Sequence, residues 1–175
     1  MFLRIAVLAF VVFCAVDVKA YYVDKWVIIN DGTHVSHDIK SRFANFDGYE
    51  GYPAYIQRNG AEAFGHAYWN QSDVLCVDFV DSQGHVVTDY RNFRVLDQSG
   101  GEFRLVSFNS IYNENNLVQF YHKRAALIHS PNGAFYGWVD LDRNEAHGVD
   151  KNGRAFKYVG TAAIDRYCDF IELWH

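Results

Sequence analysis

The sequence is poor in the residues that divide or cross-link a chain. It contains 2 prolines and 3 cysteines in 175 residues, and no Pro/Ser-rich linker or low-complexity stretch separates one part from another. It also has no Lys/Arg cluster, and its net charge is −5, so nucleic acids and anionic membranes are not expected partners. A single domain that does not insert into a membrane is therefore predicted.

Long apolar runs are absent except at the N-terminus. Residues 1–20 read MFLRIAVLAFVVFCAVDVKA, in which Arg4 precedes an apolar run that is too short to span a bilayer. Small residues end this segment at Ala20. The pattern predicts a secretory signal peptide over residues 1–20 and a soluble, secreted, extracellular protein, with an uncleaved anchor as the alternative.

Few cysteines remain after that segment. Cys14 leaves with the signal peptide, so the mature chain keeps Cys76 and Cys168. In an oxidising compartment such a pair predicts a disulfide, with two free buried thiols as the alternative. The bridge would close a loop of about 93 residues and stabilise the fold by about 4–5 kcal/mol. A single Asn-x-Ser/Thr sequon, at Asn70, predicts glycosylation in a surface turn.

What the chain does have is turn-forming residues at frequent and regular intervals. Gly-containing turn signals such as Asp47-Gly48 and Asn132-Gly133 separate short runs rich in Val, Ile, Tyr, Phe and Trp. Runs of this kind at 8–12-residue spacing are typical of an all-β sandwich or barrel. A helix is conceivable only near residues 116–127, where both periods are mixed.

Three patterns recur in the same order in two parts of the chain, at offsets of 72, 69 and 77 residues. They predict two degenerate repeats within residues 21–175, about 21–97 and 98–175, which must pack together to bury their apolar faces. The pairs are Ala54-x-Ile56 and Ala126-x-Ile128, Val80-Asp81-x-x-Gly84 and Val149-Asp150-x-x-Gly153, and Tyr90-x-x-Phe93-x-x-Leu96 and Tyr167-x-x-Phe170-x-x-Leu173.

These residues resemble the DM-nine repeat, over nearly the whole mature chain as two tandem copies. The resemblance rests on a scattered pattern: Trp26-Val27, Asp31-Gly32, Asp47-Gly48, the strand Tyr52–Arg58, and the closing Phe93-Arg94-Val95-Leu96. The chain departs from the family at the Pro-Gly-Lys turn, which is Phe64-Gly65-His66 in the first copy and Tyr136-Gly137-Trp138 in the second.

The resemblance implies an all-β sandwich in which two pseudo-symmetric repeats interleave. It also implies a lectin that binds mannose-type glycans in innate recognition of microbes, without catalysis or a cofactor. Many members self-associate, so a homodimer is expected. The family site carries over to Asp47, Glu62 and His66, whereas the second copy offers Gln119, Ala134 and Trp138 and looks degenerate.

Sugar recognition needs hydroxyl acceptors and an aromatic surface. Asp47 and Glu62 would accept from sugar hydroxyls and His66 would donate, although its reach is shorter than that of lysine. Trp69 and Trp138 are candidate stacking surfaces. The structural alternative is that Asp47 is a turn residue, Glu62 a solvated strand position and Trp69 part of the core.

An enzymatic or metal-binding function has little support. His34-x-x-His37 is the only histidine cluster with metal-like spacing and has no further evident ligand. No Ser or Cys nucleophile motif occurs, and the paired Asp140 and Asp142 do not by themselves indicate a glycosidase. No catalytic residue and no metal site are therefore predicted.

A carrier is the main alternative. Thr88-Asp89-Tyr90, followed by Asn92–Leu96, resembles the second signature of lipocalins, which enclose a small hydrophobic ligand in a β-barrel. However, the usual Gly-x-Trp is Asp24-Lys25-Trp26, and a lipocalin does not explain the repeats. A secreted structural protein is a third alternative.

Overall fold

A computed structural model describes residues 26–58 and 61–174. The predicted signal peptide lies outside these residues. The described chain is mostly β-structure, with one short α-helix and several short 3₁₀-helices. Its elements are β1 (Trp26–Asp31), β2 (Tyr52–Arg58), β3 (Ala61–Trp69), β4 (Leu75–Val80), β5 (Val86–Asp89), β6 (Arg91–Leu96), β7 (Glu102–Ser107), β8 (Gln119–Phe120), β9 (Lys123–Ser130), β10 (Gly133–Asp140), β11 (Glu145–Val149), β12 (Ala155–Val159), α1 (Thr161–Tyr167) and β13 (Cys168–Trp174).

The strands form two antiparallel sheets, and each half of the chain builds one of them. The first sheet has the order β1-β6-β2-β3-β4-β5, and the second has the order β7-β13-β9-β10-β11-β12, with β8 paired to β9. The two orders are equivalent, strand for strand. The all-β class and the sandwich arrangement are thus confirmed. In the described strands each half forms its own sheet, so the two repeats pack face to face and do not interleave as the resemblance implied. A closed lipocalin-like barrel is wrong, because the described edge strands of each sheet are not joined.

The pairing register fixes which residues of the two halves correspond. Ala54 pairs with Gly65 in the first sheet, as Ala126 pairs with Gly137 in the second. The Asp81 and Asp150 turns are also equivalent, since each aspartate side chain accepts the backbone N–H groups two and four residues later. Two of the three sequence matches therefore have the predicted offset.

The third match is out of register by two residues. Val95 pairs with Ala54, whereas it is Phe170 that pairs with the equivalent Ala126. Phe170 thus corresponds to Val95 and not to Phe93. The reason is α1, which is inserted between β12 and β13 and has no counterpart between β5 and β6.

The two sheets pack through the faces that carry alternate side chains of β2, β3, β9 and β10. Tyr55 and Phe64 of the first sheet share a core cluster with Leu127 and Tyr136 of the second. The indole Nε1 of Trp138 donates a hydrogen bond across the interface to the carbonyl of Val80, at 3.0 Å. This interface holds the halves together by apolar burial and by cross-sheet hydrogen bonding.

The opposite face of each sheet is covered by local chain. In the second half, Ile164 of α1 is fully buried against Ala126, Ile128 and Phe170. In the first half, Phe43 of the β1–β2 connection packs against Tyr52 and Trp69. The helix lies at residues 161–167, and the segment at residues 116–127 forms β8 and part of β9 instead.

The predicted disulfide is not formed, and this prediction is corrected. Cys76 and Cys168 are both free and buried. Cys76 lies in β4 and contacts Asn70, whereas Cys168 packs with Ile164 in the cluster on the outer face of the second sheet. Side chains alternate between the two faces of a strand, and Cys168 is on the face that points away from the first sheet. The backbone of the second sheet therefore lies between the two sulfur atoms, which cannot approach to the distance of about 2 Å that a disulfide requires. Burial raises the pKa of the Cys168 thiol to about 12.

Candidate functional site

An open pocket lies at the seam between the two halves, and we call it the Trp138 pocket. Its volume is about 300 Å³, at the lower end of the range of ligand sites. Strand β3 and the β4–β5 turn contribute one wall, and the second half contributes the rest. The lining residues are Glu62, Ser82, Phe120, Tyr121, His122, Lys123, Trp138, Asp140 and Arg143.

Glu62 is the acceptor that the first half brings to this pocket. It lies on the face of β3 that is turned towards the second sheet, and its Oε1 accepts a hydrogen bond from Gln57 Nε2 at 3.1 Å. Burial raises the pKa of the Glu62 carboxyl, against the opposing effects of a hydrogen bond with Tyr55 and the nearby charge of Lys123. The carboxyl is therefore held in place by two side chains, the amide of Gln57 and the hydroxyl of Tyr55.

Lys123 is the matching donor, and it comes from the other half of the chain. Its ammonium donates to the backbone carbonyl of Glu62 and lies 4.2 Å from the centre of the Trp138 ring. Burial lowers the pKa of Lys123, while Asp140 and Glu62 oppose the shift. An ammonium placed between two carboxylates and an indole is preorganised to donate to a ligand hydroxyl.

Trp138 forms the floor of the pocket and is not an open stacking surface. It is 6% exposed, and His147 stacks on it with ring centres 4.0 Å apart. The aromatic side chain that is open to solvent is Tyr121, at 67% exposure, packed edge-on against Phe120. Tyr121 can offer a face to a sugar ring.

The outer rim carries paired charges. Asp140 is buried, and its Oδ1 accepts the backbone N–H groups of Asp142 and Arg143, at 3.0 and 3.1 Å. The Nε of Arg143 lies 3.8 Å from Asp140 Oδ2, and Nδ1 of His122 lies 2.6 Å from Asp142 Oδ2. Asp140 therefore shapes the β10–β11 turn, and Arg143 is left at the rim as an additional donor.

Of the three residues implied by the family resemblance, only Glu62 lines the pocket. Asp47 is exposed in a turn that is closed by the Tyr49 N–H and the Phe46 carbonyl. His66 lies four residues after Glu62 on the same face of β3, about 13 Å further along the strand. The structure thus places Glu62 together with Trp138, and it leaves Asp47 and His66 elsewhere.

His66 is part of the packing between the sheets. Its ring stacks on Tyr136 with centres 5.6 Å apart, and Nδ1 accepts the Tyr136 N–H at 3.4 Å. Burial lowers the pKa of His66 to about 4. Near neutral pH the ring is therefore uncharged and acts as an acceptor.

The pseudo-symmetric counterpart of the pocket is closed. The pairing register shows which residues stand at the counterpart. His66 is equivalent to Trp138, Ala134 is equivalent to Glu62, and Gly51 is equivalent to Lys123. A Cβ atom on Gly51 would lie 2.4 Å from the His66 ring, so no larger side chain fits there without rearrangement. The acid and the base occur together at one of the two equivalent places.

Trp69 and Asn70 lie away from the pocket. Trp69 is on the opposite face of β3. Its ring centre lies 4.8 Å from the ring centre of His37 and 4.6 Å from Nζ of Lys40. The Asn70 side-chain oxygen accepts the N–H groups of Ser72 and Val74, which forms the predicted turn. Glycosylation of Asn70 stays a prediction.

The two histidines with metal-like spacing have separate partners. His34 Nδ1 lies 2.8 Å from the Thr33 hydroxyl, whereas His37 Nε2 contacts Asp73. Within residues 26–58 and 61–174, no group of three or more His, Cys, Asp or Glu side chains is arranged to hold a metal ion. In the same ranges, no helix has the length and hydropathy that crossing a bilayer requires.

Sequence reasoning missed Lys123, Tyr121 and Arg143. Lys123 is 61 residues from Glu62 in the chain, and no local motif links them. Only the packing of the two sheets brings them together. The positive φ of Tyr121, +47°, marks a tight turn that its sequence neighbours did not signal.

The fold and the pocket define a class: a two-sheet all-β sandwich, built from two equivalent halves, with a polar cleft at their seam. No protein-family model matches the chain, and no curated protein matches it. Among solved structures it is similar to the nematode sperm cell motility protein MFP2B, with a TM-score of 0.65 and 16% sequence identity. The match covers 86% of this chain and 44% of that chain, so the matched region spans less than half the length of that protein. At this identity the similarity shows the fold alone.

Proposed function

We propose that this protein is a secreted, lectin-like carbohydrate-binding module of the DM-nine type, and that the Trp138 pocket is its sugar site. The observation that carries the proposal is the meeting of Glu62 and Lys123, from different halves, at one open polar pocket. Adjacent sugar hydroxyls both donate and accept, and they require such a pair of opposite character.

The remaining walls support the same ligand class. Tyr121 offers an exposed aromatic face for the apolar side of a sugar ring, and Arg143 offers donors at the rim. A volume of about 300 Å³ suits a single sugar residue better than a fatty acid or a retinoid. Mannose-type glycans, as on microbial surfaces, are the first candidates because of the family resemblance.

The proposal is tested on the full mature chain with a glycan array, followed by calorimetric titration of the best monosaccharide. Lys123→Met removes the donor and keeps the apolar stem, and we expect affinity to fall at least about tenfold, as for the loss of a charged hydrogen bond. Glu62→Gln should have a similar effect. Lys151→Met, an exposed lysine in the distant β11–β12 turn, is the matched control and should bind as the unmodified protein does.

Two results would overturn the proposal. If no glycan binds to the folded protein, the function is wrong. If a glycan binds and Asp47→Ala abolishes binding while Lys123→Met does not, the sugar site lies at the turn implied by the family resemblance and not in the Trp138 pocket.

A further inference from the structure

A second open cleft, which we call the Arg91 cleft, lies at the far corner of the first sheet. It is formed by the end of β2 and by the corner between β5 and β6, and its volume is about 570 Å³. The residues that matter chemically are Arg58, Thr88, Asp89, Tyr90, Arg91 and Asn92. None of them lines the Trp138 pocket.

The equivalent place in the second half is filled by the chain itself. There α1 packs on β9, β12 and β13, with Ile164 fully buried, and the Tyr158 hydroxyl donates to the His129 carbonyl at 2.9 Å. In the first half, β5 and β6 are joined through Tyr90 alone. The Arg91 cleft is therefore the space that a helix occupies in one half and that stays open in the other.

The carboxylate of Asp89 organises the corner of this cleft. Asp89 is largely buried, and its Oδ1 accepts the backbone N–H groups of Tyr90 and Arg91, at 2.8 and 3.0 Å. Its Oδ2 accepts from Nη1 of Arg58. Asp89 thus fixes both the corner and the position of one guanidinium.

Both arginines keep donors for a ligand. The side chains of Arg58 and Arg91 are 57% and 59% exposed. Arg91 lies over the Tyr90 ring, with 4.8 Å from Cζ to the ring centre, and its Nε is 3.7 Å from Asp31 Oδ2. Each guanidinium has five N–H donors, of which these contacts use only part.

We propose that the Arg91 cleft binds a carboxylate-bearing saccharide, of the uronic-acid or sialic-acid kind. The guanidinium of Arg91 receives the carboxylate in a two-pronged hydrogen-bonded pair, a geometry that arginine matches and lysine does not. The exposed Tyr90 ring carries the Arg91 guanidinium over one face, and Asn92 adds an amide to the wall. The Thr88 hydroxyl is already engaged, because it donates to Asp78 Oδ1 at 2.6 Å. This site is separate from the Trp138 pocket, and it stands whether or not that pocket binds a sugar.

The test compares acidic and neutral sugars on the full mature chain. Glucuronate and N-acetylneuraminate are titrated beside glucose, by calorimetry and by ¹H–¹⁵N spectra, at low and at physiological ionic strength. We expect the acids to bind at least about tenfold more tightly than glucose, less so as salt rises, and to shift the amide signals of residues 88–92. Arg91→Gln should weaken acid binding about tenfold, and Arg91→Lys should restore only part of it.

Arg154→Gln is the matched control, since Arg154 is an exposed arginine in the β11–β12 turn of the other half. It should leave acid binding unchanged. The proposal is wrong if glucose binds as tightly as glucuronate, or if Arg91→Gln binds acids normally. It also fails if acetate displaces the sugar acid at equal concentration, which would reduce the cleft to a general anion site. Finally, loss of acid binding in Lys123→Met but not in Arg91→Gln would place the acid in the Trp138 pocket.

Discussion

At the scale of single residues, each half of the chain buries one carboxylate at an equivalent position and pairs it with an arginine. Asp97 and Glu172 are 3% and 2% exposed and occupy equivalent bridging positions, opposite Phe43 and Leu117. Each carboxylate is paired with an arginine: Arg42 Nη2 lies 2.8 Å from Asp97 Oδ2, and Arg104 Nη2 lies 2.6 Å from Glu172 Oε2. A buried charge needs such a partner, so these pairs belong to the fold and not to a ligand site.

His66 gives a prediction about acid stability. Its pKa in the folded protein is lowered to about 4 by burial, whereas an unfolded histidine titrates near 6.5. Between pH 6.5 and pH 4, His66 is therefore protonated in the unfolded chain and neutral in the folded chain. The free energy of unfolding should fall between pH 6.5 and pH 4, by up to about 3 kcal/mol from this group.

Urea denaturation at several pH values measures this contribution. His66→Gln keeps a hydrogen-bond acceptor without a titratable ring, so its stability should depend less on pH in that window than that of the unmodified protein. His34→Gln, at a well-exposed position, is the control. Parallel pH profiles for the unmodified protein and His66→Gln would contradict the assignment.

The residues of the candidate site show where sequence reasoning stops. Glu62 was found because it fits a family pattern, and the packing of the sheets then supplied its partner Lys123. Cys76 and Cys168 were expected to pair because two cysteines remained, but counting cannot reveal which face of which sheet each one occupies. Contacts between distant strands depend on the twist and stacking of the sheets, and local sequence carries little of that information.

At the scale of elements, two equivalent glycines have a role that their sequence context concealed. The resemblance implied that Gly65 and Gly137 belong to turns, but both lie inside strands, β3 and β10. A Cβ on Gly65 would lie 2.4 Å from the carbonyl oxygen of Asp78, and one on Gly137 would lie 2.2 Å from that of His147. In both halves the neighbouring strand comes too close for any side chain.

Gly137→Ala should therefore lower the free energy of unfolding by about 2–3 kcal/mol, because the backbone of β11 must move. Gly84→Ala is the comparison: its φ is +85° but no atom crowds the added methyl, so about 1 kcal/mol is expected from backbone strain alone. Thermal or urea unfolding measures both. A smaller effect at Gly137 than at Gly84 would show that the second sheet adapts without strain.

Most of the strands and their repetition could be predicted, and the helix could not. Short β-rich runs between Gly turns indicate strands directly. Helix α1 has 7 residues, and Ile164 is its one buried residue. A helical period of apolar residues needs several such positions, so the sequence carries no periodic signal for this helix. The same insertion explains the error in the third repeat match. The match aligned Phe93 with Phe170 because both are aromatic, whereas the pairing register aligns Val95 with Phe170, two residues later.

At the scale of the whole molecule, neither half should be stable alone. The interface face of each sheet carries large apolar side chains, including Tyr55 and Phe64 in one half and Tyr136 and Trp138 in the other. Residues 21–97 and 98–175, produced separately, should each lack a cooperative unfolding transition. Produced together, they should form a one-to-one complex that regains it, because Gln98, Ser99 and Gly101 in the connection between β6 and β7 are exposed.

Calorimetry and gel filtration of the separate and combined fragments make this measurement, with the intact chain as the reference. Cooperative unfolding of either fragment alone, near the transition temperature of the intact chain, would mean that one sheet is an independent domain.

The shared seam also bears on how such a molecule can change over evolutionary time. Two identical single-repeat chains paired about a twofold axis would carry the same residues at both ends of their seam, so any substitution would appear twice. Covalent fusion of the copies removes that constraint. Glu62 and Lys123 can therefore persist at one end while Ala134 and Gly51 stand at the other, which leaves one polar cleft per molecule and an opposite end that serves packing.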